Sequence, residues 1–64
     1  MVYVEKESVR VSEYERIVHV AIDEIRVNYK GCQITISGNN LQLCMMSREE
    51  LKIKGNIATV SFYE

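Results

Sequence analysis

Apolar and polar residues alternate along most of the chain, in short runs separated by residues that favour turns. The alternation is clearest in residues 30–46, which read KGCQITISGNNLQLCMM. A repeat of two residues is typical of a β-strand with one buried face. Lys30-Gly31, Gly38-Asn39-Asn40 and Gly55-Asn56 supply the glycine and asparagine that two-residue hairpin turns need at positive φ. The pattern therefore predicts an antiparallel meander of seven or eight short strands.

The apolar face continues across each predicted turn, because directly paired residues of a hairpin share one face of the sheet. Loops at Lys30-Gly31, Gly38-Asn39, Gly55-Asn56 and Asp23-Glu24 all keep this face, and a loop at Asn39-Asn40 keeps it with other partners. The predicted pairs are Tyr29 with Cys32, Val27 with Ile34, Ile25 with Ile36, Ile36 with Leu41, Ile34 with Leu43, Ile53 with Ala58, Leu51 with Val60, Ile22 with Ile25, Val20 with Val27 and Val18 with Tyr29.

Two short stretches before these hairpins extend the same face. Val9 and Val11 precede the polar turn at residues 12–15, and Val2 and Val4 form a short first strand. Phe62 points inward further along the last strand. The apolar face thus collects side chains from one end of the chain to the other.

Residues 45–50 break the alternation. Ser47 lies three residues before Glu50, which is the capping-box spacing at a helix start. This predicts one short helical turn near residues 46–50, joining two strands.

The expected architecture is a single all-β domain over residues 1–64, curled into a roll or small barrel to cover its apolar face. The opposite face is mostly polar but also carries Cys44 and a group of apolar residues. Because an apolar patch on a solvated face often marks a contact surface, we predict an interaction surface made of Ile17, Ala21, Met46, Ile57 and Tyr63.

Composition limits the classes of function. A chain of 64 residues has little core, so we expect help from self-association or from a protein partner. The hydrophobic share of 47% is too high for a disordered chain, and the net charge of −1 provides no field that would attract nucleic acid. No apolar run approaches the ~20 residues of a membrane helix, and no secretory signal is recognisable. We expect a cytoplasmic protein without membrane insertion.

The reactive residue types do not form a known motif. His19 is predicted to face outward and Cys32 inward, while Cys44 shares the outward face with His19. Their spacing matches no zinc finger or ribbon, and the acidic pairs fall in predicted turns. We therefore expect no enzymatic activity, no catalytic residue, no metal and no cofactor, and we expect the thiols to be reduced.

A second class of function stays open. The predicted outward face carries Arg10, Arg26, Lys52 and Lys54, and Tyr3 or Tyr63 could stack on bases. Small β-barrels bind single-stranded nucleic acid in this way. The net acidity and the few exposed aromatic residues argue against this alternative.

The second half of the chain resembles a known family. Residues 31–64 contain, in order, a glycine, an Ile-x-Ile-x-Gly, a Leu-x-Leu, a short acidic connection and a closing segment that ends on an aromatic residue. The residues that match are Gly31, Ile34, Ile36, Gly38, Leu41, Leu43, Leu51, Ile53, Gly55, Ile57, Val60 and Phe62. This order resembles the YabP/YqfC family of sporulation proteins from endospore-forming bacteria, and Glu13-Tyr14 in the first half resembles a turn of the same family. The resemblance is closer to the YqfC branch.

The resemblance implies a non-enzymatic protein that is made during sporulation. It implies a place in the mother cell, including the forespore surface, and a role in envelope, coat or cortex assembly. The implied partners are other proteins, among them a membrane protein encoded nearby. The family supplies no catalytic residues that could be assigned to this chain.

Overall fold

The computed structural model describes residues 1–63, which form one antiparallel sheet of six strands and no helix. The strands are β1 (Val2–Val4), β2 (Ser8–Ser12), β3 (Arg16–Val20), β4 (Glu24–Tyr29), β5 (Cys32–Met46) and β6 (Glu50–Tyr63). Their order across the sheet is β1-β2-β6-β5-β4-β3. The all-β prediction is confirmed. The predicted count of seven or eight strands and the simple meander order are wrong, since β2 pairs with β6 and not with β3.

The hairpin between β4 and β5 forms as the sequence predicts. Lys30 and Gly31 have φ values of 46° and 80°, as a type I′ turn requires. The three predicted pairs of this hairpin, Tyr29 with Cys32, Val27 with Ile34 and Ile25 with Ile36, are all present.

Gly38 and Gly55 do not end strands, although the sequence predicts hairpin turns at both. A straight strand of β5's 15 residues would be roughly 50 Å long, whereas the longest dimension of the molecule is 26 Å. Strands β5 and β6 therefore bend sharply, and the pairing register between them shifts at three places. Bulges of this kind bend a strand without interrupting its pairing.

The two glycines allow the bent strands to approach each other closely. A Cβ atom on Gly38 would overlap the backbone oxygen of Asn56. Gly55 has a φ of 144°, and a Cβ atom there would lie 2.6 Å from the backbone oxygen of Asn40. The sequence correctly predicts that these two glycines occupy backbone positions that other residues cannot easily take. Their role, however, is a bend within a pair of strands and not the turn of a hairpin.

The pairs predicted around these two glycines are wrong for the same reason. Ile36 pairs with Val60 and not with Leu41, and Leu43 pairs with Ile53 and not with Ile34. Ile34 pairs with Phe62. The remaining two predicted pairs, Ile53 with Ala58 and Leu51 with Val60, are also absent. On the β2 side, Ile53 pairs with Val9 and Leu51 pairs with Val11. On the β5 side, Ile53 pairs with Leu43 and Leu51 pairs with Met46.

Residues 47–49 form a tight turn and not the predicted helical turn. The hydroxyl of Ser47 accepts a hydrogen bond from the amide of Glu50 at 3.2 Å, as in a capping box. The amide of Ser47, however, donates to the backbone oxygen of Glu50 at 2.8 Å, which closes the β5–β6 hairpin. Strand pairing on both sides of the turn leaves no room for helical bonds.

The bend divides the sheet into two layers. The β4 layer contains β3, β4, residues 32–37 of β5 and residues 59–63 of β6, and the β2 layer contains β1, β2 and the remaining paired parts of β5 and β6. Buried residues from both layers belong to one cluster, so the layers pack face to face. This core consists of Val9, Val11, Ile25, Val27, Ile34, Ile36, Leu41, Leu51 and Ile53.

The sheet curls but does not close into a barrel. β1 and β3 are its two outer strands, and no pairing joins them within residues 1–63. The barrel alternative is therefore wrong. A bent two-layer sheet covers its apolar face without closure, at the expense of open edges.

Strand β3 pairs in a different register from the predicted one. A bulge lies between Ile17 and His19, so Ile17 pairs with Val27 and Val20 pairs with Ile25. The predicted partners Val18 with Tyr29 and Ile22 with Ile25 are absent from the described pairing, and Ile22 lies in the turn. Local strand pattern alone could not reveal a one-residue bulge.

The two layers are built from repeated sequence. Residues 2–11 (VYVEKESVRV) align with residues 18–27 (VHVAIDEIRV), and residues 34–39 (ITISGN) align with residues 51–56 (LKIKGN). The backbone bonds repeat too: Glu5 donates to Ser8 and Ala21 donates to Glu24, both at 2.8 Å. Gly55 donates to Glu7 and Gly38 donates to Asp23, both at 3.1 Å.

Candidate interaction surface

The bend creates two open edges in addition to the outer strands of the sheet. Within β5, only residues 32–37 pair with β4, and within β6, only residues 50–54 pair with β2. Residues 42–46 of β5 therefore pair with β6 on one side, and residues 59–63 of β6 pair with β5 on one side. In the described part of the chain, neither segment has a strand on its other side. We call them the β5 edge and the β6 edge. Their outward backbone groups can pair with another strand.

Neither of these edges carries a charge. From Cys32 to Met46 and again from residue 56 to residue 63, the chain contains no Lys, Arg, Asp or Glu. The outer strands differ: β3 contains Arg16 and His19, and β1 has only three residues. Natural sheets usually block their edges with charge or proline, and this chain has no proline at all. The β5 and β6 edges are thus unblocked.

Large apolar side chains are exposed along both edges. On the β5 edge, Met46 is 62% exposed and Met45 is exposed as well. On the β6 edge, Phe62 is 56% exposed and Tyr63 is 58% exposed. Phe62 pairs with Ile34, which is fully buried, so Phe62 belongs to the inner face and is exposed only because it lies at the open margin.

An apolar groove of about 430 Å³ runs beside the β5 edge. It is lined by Val20, Ala21, Ile22, Asn40, Leu41 and Gln42. The amide of Leu41 donates to the backbone oxygen of Ile22 at 2.8 Å, which holds the β3–β4 turn against the start of the edge. Ile22 is 67% exposed and Val20 is 52% exposed.

The repeat shows that the apolar turn is specific to one layer. In the alignment of residues 2–11 with residues 18–27, Ala21 and Ile22 occupy the positions of Glu5 and Lys6. The β1–β2 turn is therefore charged, and the groove at that turn is lined by Glu5, Lys6, Glu7, Ser8, Lys52 and Lys54. Turn geometry does not require an isoleucine at position 22, since a lysine occupies the equivalent position.

The five residues of the predicted interaction surface do not lie on one outer face. Ile17 and Ile57 are partly buried and pack against the core, so their predicted outward placement is wrong. Met46 pairs with buried Leu51 and is exposed at the end of β5. Ala21 lines the apolar groove, and Tyr63 lies on the outer face opposite Gln33. As an interaction surface the set stays a prediction.

Ile22 and Phe62 are absent from the predicted surface because the alternation assigned both to the inner face. The signal for Ile22 was available in the sequence, since aligning the two repeats places an isoleucine where the first repeat has a lysine. No local signal marks Phe62, because its exposure depends on β6 being an edge at that point.

The residues weighed for catalysis lie apart on the fold. His19 pairs with Arg26 on the outer face, and Cys32 pairs with Tyr29 on the inner face, as the sequence predicts. Cys44 is exposed in a bulge of β5, with its Sγ 3.8 Å from the backbone oxygen of Gln42. Among residues 1–63, no three His, Cys, Asp or Glu side chains are grouped so that they could hold a metal ion.

Basic residues of the outer face are partly paired with acids. Arg10 lies between Tyr3 and Lys52 across neighbouring strands, and its Nε is 3.8 Å from Glu50. In the other layer, Arg26 contacts Glu24 at 2.8 Å. Tyr3, Arg10 and Lys52 thus form a row, whereas Arg26 and Tyr63 belong to the β4 layer.

One ionisable side chain has a perturbed pKa. A hydrogen bond from Lys30 to Glu13, followed by the nearby Tyr29 and the charge of Glu13, raises the pKa of Lys30. The Nζ of Lys30 is 3.4 Å from Glu13 and 5.4 Å from the centre of the Tyr29 ring. This contact is fully exposed beside the β4–β5 turn and does not touch either open edge.

The geometry defines a small, bent all-β protein with two unblocked edges and an apolar groove beside one of them. A model of the YabP family matches residues 1–64, and the chain belongs to this family. Membership associates the protein with sporulation and confirms the family resemblance, while the YqfC branch stays a prediction. Neither curated proteins nor solved structures gave a match. Within residues 1–63, no helix has the length and hydrophobicity to cross a membrane.

Proposed function

We propose that the protein is a non-enzymatic interaction protein of the YqfC branch, acting in the mother cell during assembly of the spore envelope, coat or cortex. It acts by protein–protein contact, either with further copies of itself or with a partner such as a membrane protein encoded nearby. The observation that carries the proposal is the pair of uncharged open edges, with Met46 and Phe62 exposed on them. Open backbone groups next to exposed apolar side chains favour the binding of an added strand.

The exposed Ile22 supports the same proposal. Burying an isoleucine is worth about 1.5–3 kcal/mol, and its position tolerates a lysine in the other repeat. An isoleucine that the fold does not bury gains that energy only in a complex. The apolar groove beside it gives such a complex a defined place on the molecule.

Photo-crosslinking in sporulating cells tests the proposed function. A photoreactive residue is placed at Ile22 and, in a second strain, at Phe62. We expect adducts that contain this chain or a spore-envelope protein at both positions. The matched control is Arg48, which is exposed in the β5–β6 turn away from the groove, and we expect no adduct there. Equal labelling at all three positions, or labelling at none, would contradict the proposal.

Binding of single-stranded nucleic acid remains the weaker alternative. The row of Tyr3, Arg10 and Lys52 offers a stacking ring and two cations, but Glu50 neutralises part of this charge. We expect no gel shift with short single-stranded oligonucleotides at low salt. A shift that weakens as salt is added would instead favour nucleic-acid binding.

A further inference from the structure

The two open edges differ in a way that makes them complementary. Beside the β5 edge lies the apolar groove that contains Val20, Ile22 and Leu41. The β6 edge carries Phe62, an aromatic side chain of the inner face that residues 1–63 leave 56% exposed. The β1–β2 turn, which is equivalent to the β3–β4 turn beside this groove, is charged. Of the two open edges, the β5 edge is therefore the one with the apolar groove beside it.

We propose that the β6 edge of one copy pairs with the β5 edge of the next copy, and that Phe62 enters the groove beside Ile22. This inference rests on the proposed function and names a second copy of the chain as the partner. A strand that binds at the β5 edge directs alternate side chains to the inner side of the sheet, which is the side of the groove. A groove of about 430 Å³ is larger than any single side chain, so it accommodates a phenylalanine ring.

The charge distribution agrees with a second copy as the occupant. Both edges are uncharged, so bringing them together opposes no like charges. Of the outer strands, β3 contains Arg16 and His19, and β1 has only three residues, which disfavours their use as edges. Each copy supplies both the strand that inserts and the strand that receives it.

The consequence is a ring or an open chain of molecules and not a symmetric dimer. A contact between two unlike surfaces leaves one of each surface free on every complex, so assembly continues. A contact between two β6 edges, or between two β5 edges, would instead be symmetric and would stop at a dimer. The stoichiometry therefore distinguishes the proposal from its nearest alternatives.

Two variants block one surface each. Ile22→Lys puts into the groove the residue that occupies the equivalent turn position of the first repeat, so the fold is expected to tolerate it. Phe62→Lys removes the inserting side chain at an exposed position. Both add a positive charge, so they gain no attraction for each other. Tyr3→Lys, on the exposed outer face of β1, is the matched control.

The measurement is light scattering after size-exclusion chromatography over a wide range of concentrations. We expect the wild type and Tyr3→Lys to exceed the mass of a dimer as concentration rises. Each blocked variant alone should lose all species above the monomer. An equimolar mixture should rise about twofold in mass and stop there, because Ile22→Lys keeps its inserting edge and Phe62→Lys keeps its groove.

Several results would overturn the proposal. A wild type that stays monomeric or stops at the dimer refutes it without any variant. A dimer formed by either blocked variant alone shows a symmetric contact, and a mixture that stays monomeric also contradicts it. If self-assembly fails while crosslinks to an envelope protein form at Ile22, the interaction function stands and only the self-pairing is wrong.

Discussion

At the scale of the residue, the bend depends on two glycines that act in different ways. Gly38 is needed because a Cβ atom would overlap the backbone of β6, and Gly55 combines a close approach with a φ of 144°. Both residues lie where β5 and β6 cross from one layer to the other. A single methyl group at either position therefore affects the packing of the two layers.

Gly38→Ala is expected to lower the free energy of unfolding by roughly 2–3 kcal/mol, because the backbone must shift to relieve the overlap with Asn56. Gly31→Ala is the matched control. Nothing lies within 4 Å of a Cβ atom there, so only the positive φ of 80° opposes the change, at about 1 kcal/mol. Urea unfolding followed by circular dichroism measures both. Equal losses would show that the close approach at Gly38 has no energetic effect.

At the scale of the element, strong turn signals can lead either to a hairpin or to a bend. Lys30-Gly31 forms a hairpin because the strands on both sides pair with each other. Gly38-Asn39 and Gly55-Asn56 have similar residues but lie opposite each other in β5 and β6, where Asn39 pairs with Asn56. Long-range pairing of the two segments replaces the two local hairpins.

Lys30→Asn tests the local turn. Asparagine tolerates positive φ better than lysine does, so we expect Tm to rise by a few degrees. The pair with Glu13 is lost in this variant. Lysine is charged at neutral pH, and because the contact raises the pKa of Lys30, the contact is lost only as the pH rises through that raised pKa. The pair is exposed and contributes little.

Glu13→Gln is the control, since it removes the charge of the pair and leaves the backbone at residue 30 unchanged. We expect its Tm to match that of the wild type at neutral pH. A fall in Tm for Lys30→Asn, with none for Glu13→Gln, would contradict the importance of φ at this turn.

At the scale of the whole molecule, one core holds both layers. The side chains of Ile36 and Ile53 occupy equivalent positions in the two repeats, and both are fully buried in the same cluster. With a small shared core, neither layer has apolar contacts sufficient to stay folded alone. The molecule should therefore unfold in a single step.

Ile36→Val and Ile53→Val should each lower the free energy of unfolding by about 0.5–1.5 kcal/mol. Hydrogen exchange of the most protected amides should show the same loss in both layers, whichever layer carries the change. Val18→Ala, which shortens an exposed side chain, is the control and should leave protection unchanged. Loss confined to the layer that carries the substitution would indicate two independent units.

The sequence by itself determined the β-strand class, the β4–β5 hairpin and the inward side chains of Val9, Val11, Ile25, Val27, Ile34, Ile36, Leu51 and Ile53. The alternation of apolar and polar residues and the residue types of the turns are local properties, so they can be recognised from neighbouring residues in the sequence. Only the tertiary structure decided that β5 and β6 pass through their glycines, where the layers bend and which edges stay open. These features follow from pairing between segments far apart along the chain, such as Asn39 with Asn56 and Val9 with Ile53. The stability of this pairing depends on the common core and not on either segment alone.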